Sequence, residues 1–130
     1  MVLPFSELDA VDRGGGVTTA PMVEATHGPE RFLSGVTSLP PGREVPLHKH
    51  NCDEQVTVLE GRAEVELGAE TAVVGRFDTT FVPAGAWHRF RNLGDEPLLI
   101  LWIYGALEVT RTFADSGETV PHLSSRDITT

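Results

Sequence analysis

Short stretches of alternating apolar and polar residues run along most of this chain. The clearest is residues 62–67, in which Ala63, Val65 and Leu67 alternate with charged side chains. Because successive side chains of a β-strand point to opposite faces, this pattern predicts a strand with one buried and one exposed face. Residues 98–104 are apolar at every position, which predicts a strand that is covered on both faces.

The same reasoning predicts a series of strands separated by turns that are rich in glycine and proline. They comprise residues 17–25, 31–39, 45–50, 54–60, 62–67, 71–74, 79–82, 88–92, 98–104 and 108–113. Short strands at such spacing are typical of an all-β sandwich or closed barrel. Pro21 lies within the first of them and cannot donate a ladder hydrogen bond, which predicts an edge strand.

The chain of 130 residues has the size of a single domain, and its 40% hydrophobic content is enough for one core. We predict an N-terminal arm with an edge strand at residues 1–30, a barrel at residues 31–113 and a C-terminal tail at residues 114–130. The edge strand and the second apolar face of residues 98–104 together predict a homodimer.

Two histidines and a glutamate are the first candidates for chemistry. His48 and His50 are two residues apart on a predicted strand, so both imidazoles point to the same face. Glu54 follows after a short turn, at the start of the next strand. His88 begins another strand after a turn that contains Pro83 and a glycine, and it offers a further ligand. Imidazole and carboxylate groups together suit zinc, iron, copper, nickel or manganese.

These residues resemble the first motif of the cupin family, G-x5-HxH-x3-E-x6-G, and a later segment resembles the end of its second motif, P-x-G-x2-H-x3-N. The matching residues are Gly42, His48, His50, Glu54, Gly61, Pro83, Gly85, His88 and Asn92. Nine spaced matches over residues 35–104 are a specific signal. The chain departs from the pattern once, because it has Phe77 before Asp78 where the second motif usually opens with glycine and aspartate.

The resemblance implies a single-domain, all-β fold, the cupin double-stranded β-helix or jelly-roll barrel, with a metal site in its lumen. It implies one divalent transition metal per chain (Fe, Ni, Mn or Zn), bound by His48, His50, Glu54 and His88. On an octahedral metal these ligands leave positions for water, dioxygen or substrate, whereas on tetrahedral zinc they leave none. Alternatively, the four side chains are a hydrogen-bonded polar core, although an unpaired buried carboxylate is costly.

Side chains close to these ligands are expected to line the pocket, namely Val56, Val58, Phe81, Phe90 and Trp102. Tyr104 lies on the same strand face as Trp102, and if that face points inward, the Tyr104 hydroxyl could act as a catalytic acid or base. Alternatively, both aromatic residues fill the core or a subunit contact. We expect Asn92 to have a structural role, its amide tying down the end of a strand.

The net charge of −9 disfavours nucleic acids and anionic membranes as partners, since both require a basic surface. No apolar run approaches the length of about 20 residues that a membrane-spanning helix needs. No signal peptide is apparent, and we expect a cytoplasmic protein. Cys52 is the only cysteine, so no intrachain disulfide is possible, and we interpret it as a turn residue rather than a ligand or nucleophile.

The cupin resemblance implies a metal-dependent enzyme that acts on a small organic substrate in the barrel lumen, in the first place a dioxygenase-type oxidoreductase. A redox-neutral isomerase, lyase or cyclase that uses the metal as a Lewis acid is the alternative. A non-catalytic module that binds a small molecule or a metal is a further possibility. The sequence has no basic helical segment of the kind that attaches sensory cupins to DNA, which disfavours a transcription regulator.

Overall fold

The computed structural model describes residues 1–127, and within them nearly all regular structure is β-strand. The strands are β1 (Val11–Asp12), β2 (Thr18–Val23), β3 (Leu33–Leu39), β4 (His48–His50), β5 (Glu54–Glu60), β6 (Ala63–Leu67), β7 (Glu70–Val74), β8 (Thr79–Val82), β9 (His88–Asn92), β10 (Leu98–Tyr104), β11 (Thr110–Phe113) and β12 (Thr119–Pro121). Two short 3-10 helices cover Phe5–Glu7 and Ala25–His27. No helix in the described part of the chain is long and apolar enough to cross a membrane.

The strands form two six-stranded antiparallel sheets that face each other. One has the order β1-β2-β3-β10-β5-β8 and the other has the order β12-β11-β4-β9-β6-β7. From β3 onward, the chain crosses repeatedly between the sheets, as a jelly-roll barrel requires. The predicted all-β barrel is therefore confirmed.

Strand β10 shows which face of each central strand points inward. Leu98, Ile100, Trp102 and Tyr104 are buried, whereas the intervening residues are only half-buried. The prediction that this strand is covered on both faces is thus met on one face only. The inward face also carries Glu54, Val56 and Val58 of β5 and His88, Phe90 and Asn92 of β9.

An apolar cluster fills one end of the barrel. Its buried members are Val17, Leu39, Val45, Val56, Val58, Ala63, Val65, Phe90, Leu98 and Ile100. Full burial of a valine or leucine side chain stabilises a fold by about 1.5–3 kcal/mol. This cluster therefore supplies a large part of the driving force that holds the two sheets together.

The side chain of Asn92 ties the end of β9 to its surroundings at the apolar end. Its Nδ2 donates to the carbonyl oxygens of Leu39 at 3.0 Å and Glu96 at 2.8 Å. Its Oδ1 accepts a hydrogen bond of 2.8 Å from the Gly94 amide. The amide thus satisfies backbone groups that the turn after β9 leaves unpaired, in line with the structural role predicted for it.

Several segments differ from the predicted strands, among them β1, which was not predicted. Strand β4 begins at His48 rather than at residue 45, because Pro46 has no N–H to donate to a ladder. Strand β12 was not predicted, and it pairs with β11 within the segment assigned to the tail. In the segment assigned to the arm, β2 pairs with β3, and β1 covers β2 only at Thr18 and Thr19. Pro21 therefore lies beyond the reach of β1.

The turn before β8 forms although it lacks the usual glycine. Phe77 adopts a φ of 69°, a left-handed conformation that glycine tolerates better than any other residue. The Asp78 carboxylate accepts a hydrogen bond of 2.8 Å from the Gly75 amide, and the Phe77 amide donates to the Val58 carbonyl at 2.7 Å. These bonds hold the turn in place and leave the Phe77 ring exposed to solvent.

Candidate metal centre

The four predicted ligands lie together at the other end of the barrel. His48 and His50 point inward from β4, and His88 pairs directly with His48 across the sheet. Glu54, at the start of β5, and Tyr104, at the end of β10, pair with each other in the opposite sheet. All five side chains are buried.

The three imidazoles are held in one orientation by the backbone. Each Nδ1 donates to a carbonyl oxygen: His48 to Pro46 at 2.5 Å, His50 to Thr110 at 3.0 Å and His88 to Ala86 at 2.9 Å. Because a carbonyl can only accept, Nδ1 carries the proton, and in the neutral ring the lone pair is on Nε2. Such bonds to the remote nitrogen are what positions a metal-binding histidine.

The Nε2 atoms converge on one point. The Nε2 atoms of His48 and His50 are 3.1 Å apart, and one ligand atom from each of the three histidines lies within 4.8 Å of the others. Two lone pairs at such a distance repel each other, and a cation between them would remove that repulsion. Oε1 of Glu54 lies 3.1 Å from His88 Nε2 and 3.5 Å from His50 Nε2.

Electrostatics keep the rings in the form that binds metals. Burial lowers the pKa of His48 well below its ordinary value, and the nearby Arg111 charge lowers it further. Burial also lowers the pKa of His50 to about 4, although the Glu54 carboxylate opposes this shift. Both imidazoles are therefore neutral near pH 7, and metal ions bind neutral imidazole.

The residues present thus fit a transition metal. Oε1 of Glu54 is buried and has no hydrogen-bond partner among the described residues, which is costly for a carboxylate unless a cation lies beside it. Three imidazoles with a carboxylate at their edge form a donor set typical of zinc, iron, nickel or manganese. The assignment of Glu54 as the fourth ligand stays a prediction.

Tyr104 is the only hydroxyl among the described residues that approaches the Nε2 cluster within hydrogen-bond distance. Its oxygen lies 3.4 Å from His50 Nε2. Burial, together with the Glu54 charge, raises the pKa of Tyr104 well above its ordinary value. The hydroxyl therefore stays protonated near pH 7 and is able to donate a proton rather than to accept one.

A cavity of about 30 Å³ adjoins the histidines, enough for roughly one water molecule. It is lined by Arg13, Thr37, Val45, His48, Glu54, Val56, His88, Phe90, Ile100, Trp102, Tyr104, Arg111 and His122. Of the predicted lining residues, Val56, Phe90 and Trp102 border this space. The indole Nε1 of Trp102 donates to the Thr37 hydroxyl at 3.0 Å.

Two predicted lining residues lie elsewhere. Phe81 is 61% exposed, because β8 turns Val82 inward opposite Glu54 and so directs Phe81 outward. Val58 is fully buried but belongs to the apolar cluster, and it does not border the cavity. Phe81 was thus assigned to the wrong face of β8. Val58 does face inward, but it lies farther along β5, away from the cavity.

Three ionisable residues that line the cavity, Arg13, Arg111 and His122, were not predicted, and neither was Asp127, whose carboxylate faces both arginines. Oδ1 of Asp127 lies 2.9 Å from Arg13 Nη2 and 3.3 Å from Arg111 Nη1, and all three side chains are buried. Arg13 also donates through Nε to the Asp127 carbonyl at 2.9 Å. No pattern in the sequence connects residues from an arm, a strand and a tail. The inward parity of Arg111, which pairs with His50, was the one available signal.

His122 and Cys52 lie near the site in protonation states that favour neither acid–base nor nucleophilic chemistry near pH 7. Burial lowers the pKa of His122 to about 3, so this ring is neutral where it packs against Tyr104 at a centroid distance of 4.9 Å. Cys52 is a free, buried cysteine. Burial raises the pKa of its thiol to about 11, which leaves almost no thiolate near neutral pH and disfavours a nucleophilic role.

Comparison with known proteins agrees with the resemblance found in the sequence. The family model "Cupin domain" matches residues 35–104. Polyketide synthase CurC from Streptomyces cyaneus is 32% identical over 96 residues, which cover 73% of this chain and 62% of that protein. A 5-nitrosalicylic acid 1,2-dioxygenase from Bradyrhizobium sp is 33% identical over 73 residues, 56% of this chain and 35% of that protein. The chain thus spans less than two thirds of both relatives.

A solved structure supports the fold. The polyketide cyclase RemF from Streptomyces resistomycificus superimposes with a TM-score of 0.73 at 20% identity, over 98% of this chain and 88% of that chain. At such identity the likeness concerns the fold alone, and it matches the jelly-roll arrangement of the two sheets.

Proposed function

The chain belongs to the cupin family, and from that premise we propose that it is a metal-dependent enzyme acting on a small organic substrate in the barrel lumen. The observation that carries the proposal is the convergence of three buried Nε2 atoms whose Nδ1 protons are all bound by backbone carbonyls. A core that needed only hydrogen bonds would not direct two lone pairs at each other.

The chemistry that the site supports best is redox-neutral, of the isomerase, lyase or cyclase type. A metal held by His48, His50, His88 and Glu54 would supply Lewis acidity toward a substrate oxygen. Tyr104, which keeps its proton and lies 3.4 Å from His50 Nε2, would donate that proton to an oxygen that gains charge beside the histidines. The apolar walls from Val56 and Phe90 exclude bulk water, which strengthens these interactions. Resemblance to a polyketide synthase protein supports this candidate.

Oxygen insertion by a redox-active metal is the second candidate. It is favoured by the similarity to the 5-nitrosalicylic acid 1,2-dioxygenase. A set of three histidines and one glutamate also fits iron, nickel or manganese, and in this candidate the residues of the chain hold and orient the substrate. Under this candidate the role of Tyr104 is to position the substrate through its hydroxyl.

Metal content tests the shared part of the proposal. We expect protein purified without an affinity tag to contain close to one metal ion per chain, and we expect the His50→Ala variant to lose it. Lys49→Ala is a matched control, since Lys49 lies between two ligands but points outward over the Trp87 ring. If the metal content of His50→Ala and of Lys49→Ala is the same, the histidines do not form the site and the enzyme proposal fails.

Turnover with and without oxygen then separates the two chemistries. Candidate β-dicarbonyls, catechols and flavonols are incubated with the metal-loaded protein in air and under anaerobic conditions. Product formation that is equal in both conditions supports the redox-neutral enzyme, whereas oxygen consumption coupled to product supports the dioxygenase. Tight binding without any turnover would identify a binding module instead.

Two further properties remain proposals. We propose a homodimer, in which the half-buried outer face of β10, with Leu99, Leu101 and Ile103, contributes to contacts between copies. Sedimentation that detects only single chains at micromolar concentration would contradict it. A cytoplasmic location is proposed from the sequence, and fractionation of the source cells would test it.

A further inference from the structure

Two arginines reach into the cavity of the metal centre, and this is unusual for a buried space. Arg13 follows β1 and is 3% exposed, and Arg111 lies on β11 and is 5% exposed. Both border the same cavity as His48 and His88. Removing a guanidinium from water costs several kcal/mol, and apolar side chains of similar size would stabilise a barrel at least as well. Two buried guanidinium groups therefore require an anion beside them.

Asp127 is the anion that the arginines hold in this structure. A single oxygen, Oδ1, faces both guanidinium groups, while Oδ2 accepts a hydrogen bond of 2.7 Å from the Leu123 amide. The guanidinium of Arg111 is only partly paired in this arrangement. It has one contact of 3.3 Å to Asp127, and its buried Nε has no hydrogen-bond partner among the described residues. A guanidinium is built to bind both oxygens of a carboxylate, so a better ligand than Asp127 is possible.

The segment that carries Asp127 belongs to no strand and contributes His122 to the lining of the cavity. Residues 122–127 are held by turn hydrogen bonds such as Ser124 N–H to the Pro121 carbonyl and Asp127 N–H to the Ser124 carbonyl. Most of the other lining residues lie in strands of the two sheets. A space of about 30 Å³ is too small for an organic substrate, so entry requires one wall to move. A turn segment moves at a lower free-energy cost than a sheet strand.

We propose that Arg13 and Arg111 form a carboxylate-binding subsite beside the metal centre, which Asp127 fills in this structure and which the carboxylate of the substrate takes over. The substrate class is thereby a small carboxylic acid whose reacting oxygen lies next to the histidines. This step rests on the proposed function, in which the Glu54 charge is committed to the metal. Asp127 itself establishes that a carboxylate fits between the two arginines. Binding of the substrate displaces residues 122–127, so these residues report the occupancy of the subsite.

Chemical rescue of the Asp127→Ala variant tests the subsite. The variant removes the resident carboxylate and leaves two buried cations without it. We expect acetate to raise the midpoint of its thermal unfolding by several degrees, and acetamide, the neutral isostere, to have no such effect at the same ionic strength. We expect acetate to bind this variant at least about tenfold more tightly than the unchanged protein, because the tethered Asp127 no longer competes.

The controls separate this proposal from the proposed function. The double variant Asp127→Ala/Arg111→Gln should lose the rescue. The titrations are carried out on the metal-loaded protein and again after removal of the metal, because a carboxylate could also bind the metal itself. Rescue in both states supports the arginine subsite even if no enzymatic activity is found. Equal responses to acetate and acetamide, or rescue that needs the metal, would overturn the subsite.

A second measurement uses the unchanged protein and so does not depend on the variants folding. Amide hydrogen exchange is followed in peptides that cover residues 119–127, in rising concentrations of benzoate or benzamide. We expect benzoate alone to accelerate exchange at the Leu123 amide, which loses its bond to Asp127, while exchange in β5 and β9 stays the same. Unchanged exchange at saturating benzoate would contradict the displacement of Asp127.

Discussion

The two ends of the barrel interior differ in what holds them together, although the same strands build both. Along β5 the inward residues change from Glu54 to Val56 and Val58, and along β10 they change from Tyr104 and Trp102 to Ile100 and Leu98. The apolar end is stabilised by burial that any well-packed aliphatic set would provide. The polar end depends on pairing each buried charge and lone pair with a partner. Fold stability and chemistry are therefore separated along the strands, within one continuous core.

The Leu98→Ala variant should damage only the apolar end. Leu98 is completely buried, and truncation of such a leucine costs about 2–5 kcal/mol through lost transfer energy and the cavity left behind. Urea titration measures this loss, and elemental analysis of the same variant should give an unchanged metal content. A variant that is destabilised and also loses its metal would indicate that the two ends are coupled.

Acid should weaken the polar end in the metal-free protein. The pKa of His50 is about 4 in the folded chain and 6.5 in its ordinary state, so between these values the unfolded chain binds a proton that the folded chain does not. The contribution of the neutral His50 ring to the free energy of unfolding is therefore fully present above pH 6.5. It falls as the pH decreases toward 4, by an amount on the order of 2 kcal/mol or more.

Urea titrations of the metal-free protein across this pH range provide the measurement. The His122→Phe variant is informative, because the pKa of His122 is lowered to about 3 and contributes a loss of the same sign. Its profile should be flatter than that of the unchanged protein. A free energy of unfolding that does not change between pH 6.5 and 4 would contradict the neutral, buried imidazoles.

The Glu54→Gln variant sharpens the contrast between stability and chemistry. It removes a buried charge, so the metal-free variant should be as stable as the unchanged protein or more stable. Its affinity for the metal should fall by at least about 10-fold, the loss that changing an outer hydrogen-bond partner of a ligand already causes, because a neutral amide is a weaker ligand than a carboxylate. Competition with a chromogenic chelator measures the affinity. The neighbouring Gln55→Ala variant, whose side chain is exposed, is the control.

The smallest effect is expected at Phe77, outside both ends. Glycine removes a left-handed strain of about 1–2 kcal/mol but adds about 0.5–1 kcal/mol of chain entropy, so Phe77→Gly should stabilise the protein slightly. Val73→Gly, at another exposed apolar residue, should be destabilising because Val73 lies in β7. Thermal unfolding of both variants checks this, and a loss of stability in Phe77→Gly would contradict the strain.

Local spacing was sufficient to predict the part of the site that is local in sequence. His48 and His50 share a face because their separation equals the period of a strand, and parity places Phe90 on the face of His88. Parity failed in β8, because Phe81 and Val82 are both apolar and the strand is too short for alternation to choose between them. The depth of Val58 likewise depends on sheet pairing rather than on pattern.

The contact between Arg13 and Asp127 beside the cavity could not be predicted, for a different reason. Arg13 and Asp127 are separated by 114 residues, and neither lies in a stretch with a recognisable motif. Their contact depends on the position of β12 and of the turn after it, which were assigned to the tail. A single sequence contains no signal for such a pair, since each residue alone resembles an ordinary exposed charge.

The bond between Arg13 and Asp127 also has a consequence for biosynthesis. A ribosome makes about 5–20 residues per second, so several seconds pass between the synthesis of Arg13 and that of Asp127. By the end of this interval every proposed metal ligand has been synthesised, whereas Asp127 has not yet joined the two arginines beside the cavity. Metal insertion into the nascent chain would thus meet an open lumen. The ion pairs of Asp127 with Arg13 and Arg111 can therefore form only after all four proposed ligands have been synthesised.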